Sequence, residues 1–536
     1  MQACKATANK KLRNAITLSR KMQGLLVFCI LTSLAVSVCD CYHVLLYHNG
    51  GTKGNLIQIQ PVVEEVLNRG HEVTSILYST LGMEHQNYTE FIVPNGFESI
   101  YTVVNKLAVE GTGLESAKFW TTVLPAFNEC IENVAIQPFK VESVEKFLKL
   151  EKKVDVVITI TPLMGAVMAD IFDCPLLNFS PGGNMLFPIQ GTGKDINWSI
   201  QPLGSDKYIE PLTFFERLQS HIMRNVEKMF FSWFASRIHY HQQKKFGPNT
   251  RNPYNILRER LSVVLSSSHP VTHGSWPNMP NFIELGGLHL RDPKPLPKDL
   301  LSFIDSATKG VVFMAFGSQF KSKDLSEDKL LVFLETFKRL EMSVIWKWDA
   351  DIPNLPKNVL VRSWLPQQDV LGHPNVRVFV THGGLGSVME AIYHKTVLIG
   401  VPMTNDQKPN ILRAERHGYA KMLELDTLSV DKLTKAINNG VEDKEMRSSL
   451  EKIHNIYMDN QQQPLDTALW WIEYVCRNRG AEILQSWFAY EAPWYQYHHV
   501  DVLLFVITVI TASLCILILA CYACSKVCCK RKVKIE

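Results

Sequence analysis

The clearest chemistry in this sequence lies in a glycine-rich junction between a strand pattern and a helix pattern. The segment "FVTHGGLGSVMEAI" runs from an apolar strand through His382 and two glycines into a helix that we predict to begin around Ser387. Free backbone N–H groups at a helix start, beside the carboxyl end of a strand, form an anion site. His382 and the Ser387 hydroxyl can add donors to a phosphate, and Glu390, one turn later, can accept from ribose hydroxyls. The junction therefore predicts a phosphate site, although a purely structural turn would carry the same glycines.

The segments on either side of this junction favour the phosphate interpretation. Upstream, "SWLPQQD" offers Trp364 as a flat platform for a base and Gln367 as an amide that can pair with a base edge. Downstream, "VPMTNDQ" ends a predicted strand with Asp406 and Gln407, an acceptor and a donor suited to sugar hydroxyls. One short span of the chain thus carries groups for a base, a phosphate and a sugar.

Two series of strands alternating with helices must position these residues. The first contains "YHVLLY", "HEVTSILY", "VDVVITIT" and "PLLNFS", with an amphipathic helix "LIQIQPVVEEVLNRG" between its first two strands. The second contains "GVVFMAFGS", "SVIWKW", "VLVRSWLP", "VRVFVTHGG" and "VLIGVP". This alternation is typical of parallel sheets with right-handed crossovers. We therefore predict an α/β fold with two doubly wound, Rossmann-like domains and a C-terminal transmembrane helix.

The boundaries follow from composition and from the proline-rich segment "GGLHLRDPKPLPKDL". We predict a signal peptide over 1–39, an amino-terminal domain over 40–287, a linker over 288–300, a carboxyl-terminal domain over 301–499, a transmembrane helix over 500–523 and a basic tail over 524–536. A long helical stretch over 212–246 carries apolar residues on or near one side, namely Phe214, Phe215, Leu218, Ile222, Phe230, Phe231 and Trp233. The sequence leaves open whether this side is core or faces a membrane.

The two ends of the chain indicate where it resides. A basic leader before "GLLVFCILTSLAVSVC" is typical of a signal peptide, with an uncleaved anchor as the alternative. Residues 502–523 are almost wholly apolar and long enough to cross a bilayer core of about 30 Å. The Lys and Arg cluster in "CSKVCCKRKVKIE" predicts a cytoplasmic tail and a large lumenal part in a single-pass protein. Lys532 and Lys534 resemble a dilysine signal for retrieval to the endoplasmic reticulum membrane, a plain stop-transfer cluster being the alternative.

Composition excludes some classes of function. A net charge of +4 over 536 residues gives no reason to expect nucleic acid as a partner. The cysteines that would be lumenal are too sparse for a disulfide scaffold, and no Cys/His spacing is typical of a zinc site. Asn87 in "NYT" and Asn197 in "NWS" are candidate glycosylation sites if this part is lumenal.

The order Trp364, Pro-Gln, His-Gly-Gly, Ser387, Glu390 and Asp-Gln resembles the donor-binding signature of the UDP-glycosyltransferases. This is the UDP-glucuronosyltransferase superfamily, which has the GT-B fold. The segments "RGHEV", "FGS", "WWIEYV" and "PWYQYHHVDV" are similar to its membrane-bound animal members. The resemblance implies transfer of a hexose, glucose or glucuronate, from a UDP-sugar to a small lipophilic acceptor, as in detoxification. It also implies an inverting reaction with no metal and no cofactor, the UDP-sugar being a co-substrate.

The resemblance also assigns a role to each matching residue. Trp364 would stack on uracil, Gln367 would bind its edge, and Glu390 would bind the ribose. The residues that would hold the pyrophosphate are Ser318, His382, Gly384 and Ser387. Asp406 and Gln407 would bind the transferred sugar. The chain departs from the family after "EAIYH", where Lys395 and Val397 replace the usual Gly and Pro, and there we expect altered loop geometry without loss of donor binding.

The catalytic pair of the family is missing at the matching positions. Counting from Pro61, the usual catalytic His falls on Asn55, and an amide cannot accept a proton near neutral pH. The acidic partner should precede Pro162, where Ile160 and Thr161 stand. His48, at the end of the first strand, is an alternative base, although a surface or packing role is favoured for it.

Three hypotheses follow from an intact donor signature beside a missing catalytic pair. The first is a working transferase whose acceptor needs little base assistance, such as an amine or an acidic phenol, or one that recruits His48 or substrate-linked water. The second is a noncatalytic binder of UDP-sugars or lipophiles, or a partner subunit that modulates related transferases. A homo- or hetero-oligomer with related transferases is a separate expectation about partners. The third is an unrelated membrane receptor, and under this hypothesis the spacing of the signature would be a coincidence. We favour the first.

Overall fold

The computed structural model describes residues 41–109, 117–150, 152–182, 212–275, 278–318, 320, 325–403, 406–480, 482–484 and 492–532. The predicted signal peptide, Asn197 and Lys534 lie outside these ranges. All the residues predicted for the donor site and for catalysis lie inside these ranges.

The first sheet has seven parallel strands in the order β3-β2-β1-β4-β5-β6-β7. The strands are β1 His43–His48, β2 Glu72–Leu77, β3 Tyr88–Ile92, β4 Val156–Thr159, β5 Leu176–Ser180, β6 Leu261–Ser266 and β7 Phe282–Glu284. Every residue of β1, β4 and β5 is buried, as expected for parallel strands covered by helices on both faces.

The second sheet has six parallel strands in the order β10-β9-β8-β11-β12-β13. The strands are β8 Val311–Ala315, β9 Ser343–Lys347, β10 Val359–Arg362, β11 Val376–Thr381, β12 Val397–Gly400 and β13 Ala420–Met422. In both sheets the strand order reverses beside the first strand, between β1 and β4 and between β8 and β11. Such reversals open a crevice at the carboxyl ends of the strands, where ligands bind in doubly wound folds.

The helices among the described residues connect these strands. They are α1 Lys53–Asn68, α2 Glu98–Val109, α3 Ala117–Ile136, α4 Glu142–Leu148, α5 Pro162–Ile171, α6 Phe214–Phe246, α7 Pro253–Arg260, α8 Pro270–His273, α9 Lys298–Asp305, α10 Glu327–Arg339, α11 Gln367–Leu371, α12 Leu385–Tyr393, α13 Gln407–Arg416, α14 Val430–Glu442, α15 Lys444–Met458, α16 Pro464–Asn478, α17 Trp494–Tyr497 and α18 Val500–Lys532. The prediction of two doubly wound α/β domains is confirmed.

Helix α1 brings the glycine-rich loop after β1 to the crevice. Its apolar residues recur every three or four positions, and Leu56, Ile59 and Val63 are buried against the first sheet. The first turn therefore lies at the carboxyl end of β1, where it presents Lys53 and Asn55 to the cleft. The predicted amphipathic helix is confirmed and begins three residues earlier than "LIQIQP".

Four strands were not predicted from the sequence. Strand β6 follows α7 directly at Leu261, with no glycine or proline to mark the change from helix to strand. Strand β3 is half-exposed at the sheet edge, so its apolar signal is weak. Strands β7 and β13 have only three residues each, too few for a periodic pattern.

The stretch 212–246 contains helix α6, whose apolar residues are partly core and partly exposed. Near its carboxyl-terminal half, Phe230 packs edge to face on Phe127 of α3 with ring centroids 5.0 Å apart, and Phe231 packs against the core of the first domain. The apolar residues of the other half are exposed, and Trp233 is 38% exposed as well. The exposed apolar residues in that half are Phe214, Phe215, Leu218, Ile222, Val226 and Met229.

Helix α16 departs from the predicted division of the chain. The boundary 301–499 assigns it to the second domain, but its buried residues Leu469, Ile472 and Val475 belong to the core that covers one face of the first sheet. Arg69 of the first domain donates to Glu473 of α16 over 2.9 Å. The physical reason for the difference is that the apolar side of α16 packs beside α1. The chain thus returns to its first domain before it reaches the membrane segment.

Helix α18 is the one helix in the described ranges that is long and apolar enough to cross a membrane. Its apolar part, Val500–Lys526, has a mean hydropathy of 3.0 and is not buried against the rest of the chain. The helix continues to Lys532, so the described part of the predicted tail is helical and does not form a separate segment.

Candidate active site

The centre of the candidate donor site is His382, directly after β11. Thr381 Oγ1 lies 3.3 Å from His382 Nδ1, and the other edge of the ring faces two glycines. A Cβ added to Gly317 or Gly384 would lie 2.8 Å or 2.7 Å from His382 Nε2, closer than real Cβ atoms approach a ring. Gly317 also has a φ of +74°, which favours glycine. The imidazole therefore depends on two glycines that leave room for it, and Ser318 follows in the same turn.

Burial lowers the pKa of His382 to about 4, and the charge of Lys347 acts in the same direction. The ring is therefore neutral at neutral pH. A neutral ring with one N–H can still donate a hydrogen bond to a phosphate oxygen.

Helix α12 provides the helix start at which the sequence predicted an anion site. It begins at Leu385, two residues before the predicted start, and Gly384 is its N-cap residue. The first N–H groups of a helix have no partner within the helix and attract negative charge. Asp406 meets this helix start through a hydrogen bond with the Leu385 backbone, and it accepts from Asn410 over 2.7 Å.

Gln367, Ser387 and Glu390 lie together although they come from different elements. Gln367 opens α11, and its Nε2 donates to Ser387 Oγ over 3.1 Å and to the carboxylate of Glu390. Glu390 is buried and lies 3.5 Å from Nε2 of His289. The residues predicted for the base edge, the phosphate and the ribose thus form one connected polar group.

Trp364 lies at the edge of this group, and its side chain is 54% exposed, so one ring face can accept a planar ligand. Two ammonium groups are close to the ring: Lys347 Nζ at 4.8 Å from the centroid and Lys53 Nζ at 5.6 Å. Gln407 is buried, and its Oε1 accepts from the Met403 N–H over 2.8 Å. Gln407 therefore shapes the strand-to-helix turn next to Asp406.

The departures at positions 395 and 397 have a visible result. Lys395 has a φ of +56°, in the left-handed region that favours glycine, and its ammonium pairs with Glu451 over 2.8 Å. Val397 is the first residue of β12. The turn therefore keeps a backbone conformation suited to the usual glycine, with a lysine in it.

On the acceptor side, the structure places His48 in the core and not at the surface of the cleft. The ring is 1% exposed, and neither of its nitrogens has a partner among the described residues. It packs edge to face on Tyr78 with centroids 5.3 Å apart. Burial lowers its pKa to about 3, so it is a weak proton acceptor, in agreement with the favoured packing role.

Asn55 lies in the first turn of α1, beside His48. A Cβ added to Gly51 would lie 2.7 Å from His48 Nε2 and 2.9 Å from Asn55 Nδ2, so the two side chains are near neighbours. Asn55 Oδ1 accepts from the Thr52 hydroxyl over 3.3 Å. Neither contact gives Asn55 the ability to take a proton.

At the position expected for the catalytic acid, the chain carries no carboxylate, and its side chains instead hold the loop after β1 in place. Thr161, before α5, donates from its hydroxyl to Asn49 Oδ1 over 3.3 Å, and Asn49 Nδ2 donates to the Val134 carbonyl over 2.9 Å. These bonds fix the end of β1 through neutral groups. Ile160 is half-buried and packs against the core that α16 shares on one face of the first sheet.

Residues of the first domain reach the donor site across the cleft, which sequence analysis did not predict. A Cβ added to Gly386, in the first turn of α12, would lie 3.6 Å from Gln58 Nε2 and 3.7 Å from His289 Nε2. Gln58 is buried, and its Oε1 has no partner within the described residues. Its only signal in the sequence was a glutamine among the apolar positions of an amphipathic helix.

Solved structures that resemble this chain are glycosyltransferases. The glycotransferase of kitacinnamycin superimposes with a TM-score of 0.56 at 17% identity, covering 81% of this chain and 99% of that one. UGT89C1 of Arabidopsis thaliana complexed with quercetin gives a TM-score of 0.52 at 16% identity, covering 81% and 100%. Together with the two parallel sheets, these likenesses define a protein with the GT-B fold of glycosyltransferases.

Sequence comparisons show the family. The family model described as "UDP-glucoronosyl and UDP-glucosyl transferase" matches residues 48–535. The UDP-glycosyltransferase UGT5 of Dactylopius coccus is 30% identical over 91% of this chain and 93% of its own length. UDP-glucuronosyltransferase 2B19 of Macaca fascicularis is 31% identical over 87% and 90%. The chain belongs to the UDP-glucuronosyl and UDP-glucosyl transferase family.

This membership confirms the resemblance and the activity predicted from it, hexose transfer from a UDP-sugar. The relatives named above are all transferases, so the noncatalytic and receptor hypotheses receive no support from them. The roles of individual residues remain proposals.

Proposed function

We propose that the protein transfers glucose or glucuronate from a UDP-sugar to a small lipophilic acceptor, with inversion, in the cleft between its two sheets. The observation that carries this proposal is the polar group Gln367, Ser387 and Glu390 at the start of α12, reached from the first domain by Gln58. The groups suited to bind a donor and a helix of the domain expected to bind the acceptor thus meet in one crevice.

The donor would lie along the carboxyl edge of the second sheet. Uracil stacks on Trp364, Gln367 binds its edge, and Glu390 binds the ribose. The diphosphate sits between the His382 ring and the first turn of α12, with Ser318, Gly384 and Ser387 around it. Asp406 and Gln407 face the hexose. His382 and the helix-start N–H groups then supply the positive potential that a departing diphosphate needs.

The reaction would be a single displacement. A lone pair of the acceptor forms a bond to the anomeric carbon on the face opposite UDP. The bond from that carbon to the β-phosphate oxygen breaks, and its electron pair stays on UDP. When the nucleophile is a hydroxyl, its proton passes to water, because the amide of Asn55 cannot take it.

This assignment favours acceptors that lose a proton easily or have none to lose. General-base assistance is typically worth roughly a hundred- to ten-thousandfold in rate. His48, with a pKa of about 3, offers little of it. An amine that attacks through its lone pair, or a phenol that is already ionised, avoids the need for a base. We therefore assign amines and acidic phenols as the preferred acceptors.

The cellular setting we propose is the endoplasmic reticulum membrane. Helix α18 would cross the bilayer once, with residues 40–499 in the lumen and the Lys532 and Lys534 pair in the cytoplasm. Asn87 and Asn197 would then be glycosylated. Replacing both lysines by serine should move the protein to the cell surface, and a variant that stays in the reticulum would contradict the retrieval role.

The experiment that tests the function uses the full-length protein purified from microsomes, radiolabelled UDP-sugars, and a mixture of phenols and amines. We expect donor binding and product with at least one amine or acidic phenol. Gln367→Ala should weaken donor binding, whereas Gln462→Ala, at an exposed glutamine, should not. If no UDP-sugar binds, the donor assignment is wrong; if a donor binds and no acceptor reacts, the protein is a binder.

A further inference from the structure

Two lysines from different domains meet at the ring of Trp364. Lys347 ends β9 of the second domain, and its ammonium lies 4.8 Å from the ring centroid. Lys53 opens α1 of the first domain, and its ammonium lies 5.6 Å from the same centroid. Lys53 thus extends from the acceptor-side loop across the cleft to the expected platform for the base.

Lys347 is also close to the expected phosphate site. Lys347 Nζ donates to the Gly317 carbonyl over 2.7 Å, and Gly317 is the glycine that leaves room for the His382 ring. The Lys347 charge is near enough to lower the pKa of His382. One ammonium therefore lies between the base platform and the phosphate site, and the other approaches from the opposite domain.

The arrangement has an energetic cost without a ligand. Burial lowers the pKa of Lys347, the charge of Asp349 partly offsets this effect, and the charge of Lys53 lowers the pKa further. Among the described residues, neither ammonium lies within ion-pair distance of a carboxylate. Two like charges that repel each other in a cleft are stabilised by an anion placed between them.

We propose that Lys53 and Lys347 clamp the diphosphate of the donor from both sides of the cleft and neutralise the charge that remains on UDP when the sugar leaves. The proposal rests on the proposed function and names two residues beyond the donor signature. The bond that breaks leaves its electron pair on the β-phosphate oxygen, and the two ammonium groups meet that charge. The loop that lacks the usual base thus contributes to departure of the leaving group.

Binding of UDP, UMP and uridine to the full-length protein, measured by titration calorimetry, tests the clamp without turnover. Charge-assisted hydrogen bonds are typically the stronger class, so we expect Lys53→Met and Lys347→Met each to weaken UDP binding on the order of tenfold. Uridine binding should stay within about twofold, because it has no phosphate. Lys53→Arg and Lys347→Arg should restore most of the UDP affinity.

Lys152→Met is the matched control. Lys152 is an exposed lysine of the first domain that pairs with Glu72 at the amino edge of the sheet, opposite the cleft. It should leave all three affinities unchanged. The clamp is wrong if the lysine variants weaken the binding of UDP and of uridine together. It is also wrong if they weaken the binding of neither ligand while Gln367→Ala weakens the binding of both.

A further arm separates the diphosphate from the only other anion in such donors, a uronate carboxylate. If Lys53→Met weakens the binding of UDP-glucuronate and leaves the binding of UDP and UDP-glucose unchanged, the clamp is wrong. The lysine would then contact the uronate carboxylate of the sugar. A wild-type protein that binds no UDP would overturn the proposed function together with the clamp.

Discussion

Replacing Asn55 by histidine should return a proton acceptor to the first turn of α1. The site is half-buried, beside the Thr52 hydroxyl and the His48 ring. His48 has a pKa of about 3 against an ordinary value of 6.5, which makes it about 3,000-fold weaker as a base. A histidine at position 55 is less buried, so its pKa should stay closer to the ordinary value.

The size of the gain follows from what surrounds the new ring. A positioned general base gives roughly a hundred- to ten-thousandfold in rate. Position 161 is a threonine that bonds to Asn49, so no carboxylate there orients the ring. We therefore expect the low end, about a hundredfold in kcat/KM for an alcohol or weakly acidic phenol, equivalent to about 2.7 kcal/mol of activation free energy.

The assay measures kcat/KM against a series of phenols of graded acidity, an aliphatic alcohol and an amine, in wild type and Asn55→His. The gain should be largest for the least acidic hydroxyl, and close to none for the amine or for a phenol already ionised. The pH profile of the variant should acquire a limb at the pKa of the new histidine. Adding Ile160→Asp should increase the gain further.

Asn55→Gln is the control, since it changes shape and keeps an amide. An equal gain for every acceptor would refute the reasoning, because base assistance depends on the proton. So would an absence of gain for alcohols when UDP affinity is intact. Loss of wild-type activity toward alcohols in a folded His48→Gln variant would show that the buried histidine is the base after all.

The donor site and the domain packing give three further predictions. Gly317→Ala should weaken UDP binding on the order of tenfold in calorimetry, since a Cβ would strain a φ of +74° and displace the His382 ring; unchanged affinity would contradict this. His382 has a pKa of about 4, and a bound diphosphate should raise this pKa. UDP binding should therefore take up protons, and UDP affinity should increase as pH falls from about 6.5 towards 4. Calorimetry in buffers of different ionisation enthalpy should detect this uptake, beyond that of the phosphate itself, in wild type and not in His382→Gln. Leu469→Ala should lower the free energy of unfolding by about 2–5 kcal/mol, because Leu469 is buried on the first domain, whereas Trp470→Ala, at a side chain 49% exposed, should cost much less in the same denaturant titration.

The grouping of the candidate donor-site residues could be predicted because these residues are close in sequence. His382, Ser387 and Glu390 share one strand-turn-helix unit, so their spacing alone brings them to one helix start. Trp364 and Gln367 lie shortly before β11, the strand that His382 follows. Local geometry therefore determined most of the site before any long-range contact was known.

The contributions from the first domain could not be predicted in this way. Gln58 meets α12 and Lys53 meets Trp364 only because the two sheets face each other across the cleft. No local pattern encodes the distance between a residue in the first helix and one more than three hundred positions later. For the fold, buried β-branched runs identified nine strands, and the failure at β6 shows that a helix can pass directly into a strand without a breaker residue.

The return of α16 to the first domain affects how members of such a family can be recombined. A chimera joined at the linker 288–300 would take its amino-terminal domain from one parent and the helix that covers that domain from the other. The Arg69–Glu473 bond and the contacts of Leu469 would then join residues that never evolved together. The exchangeable unit is therefore discontinuous in sequence: it consists of the amino-terminal domain together with Pro464–Asn478, and the other unit is the segment between them.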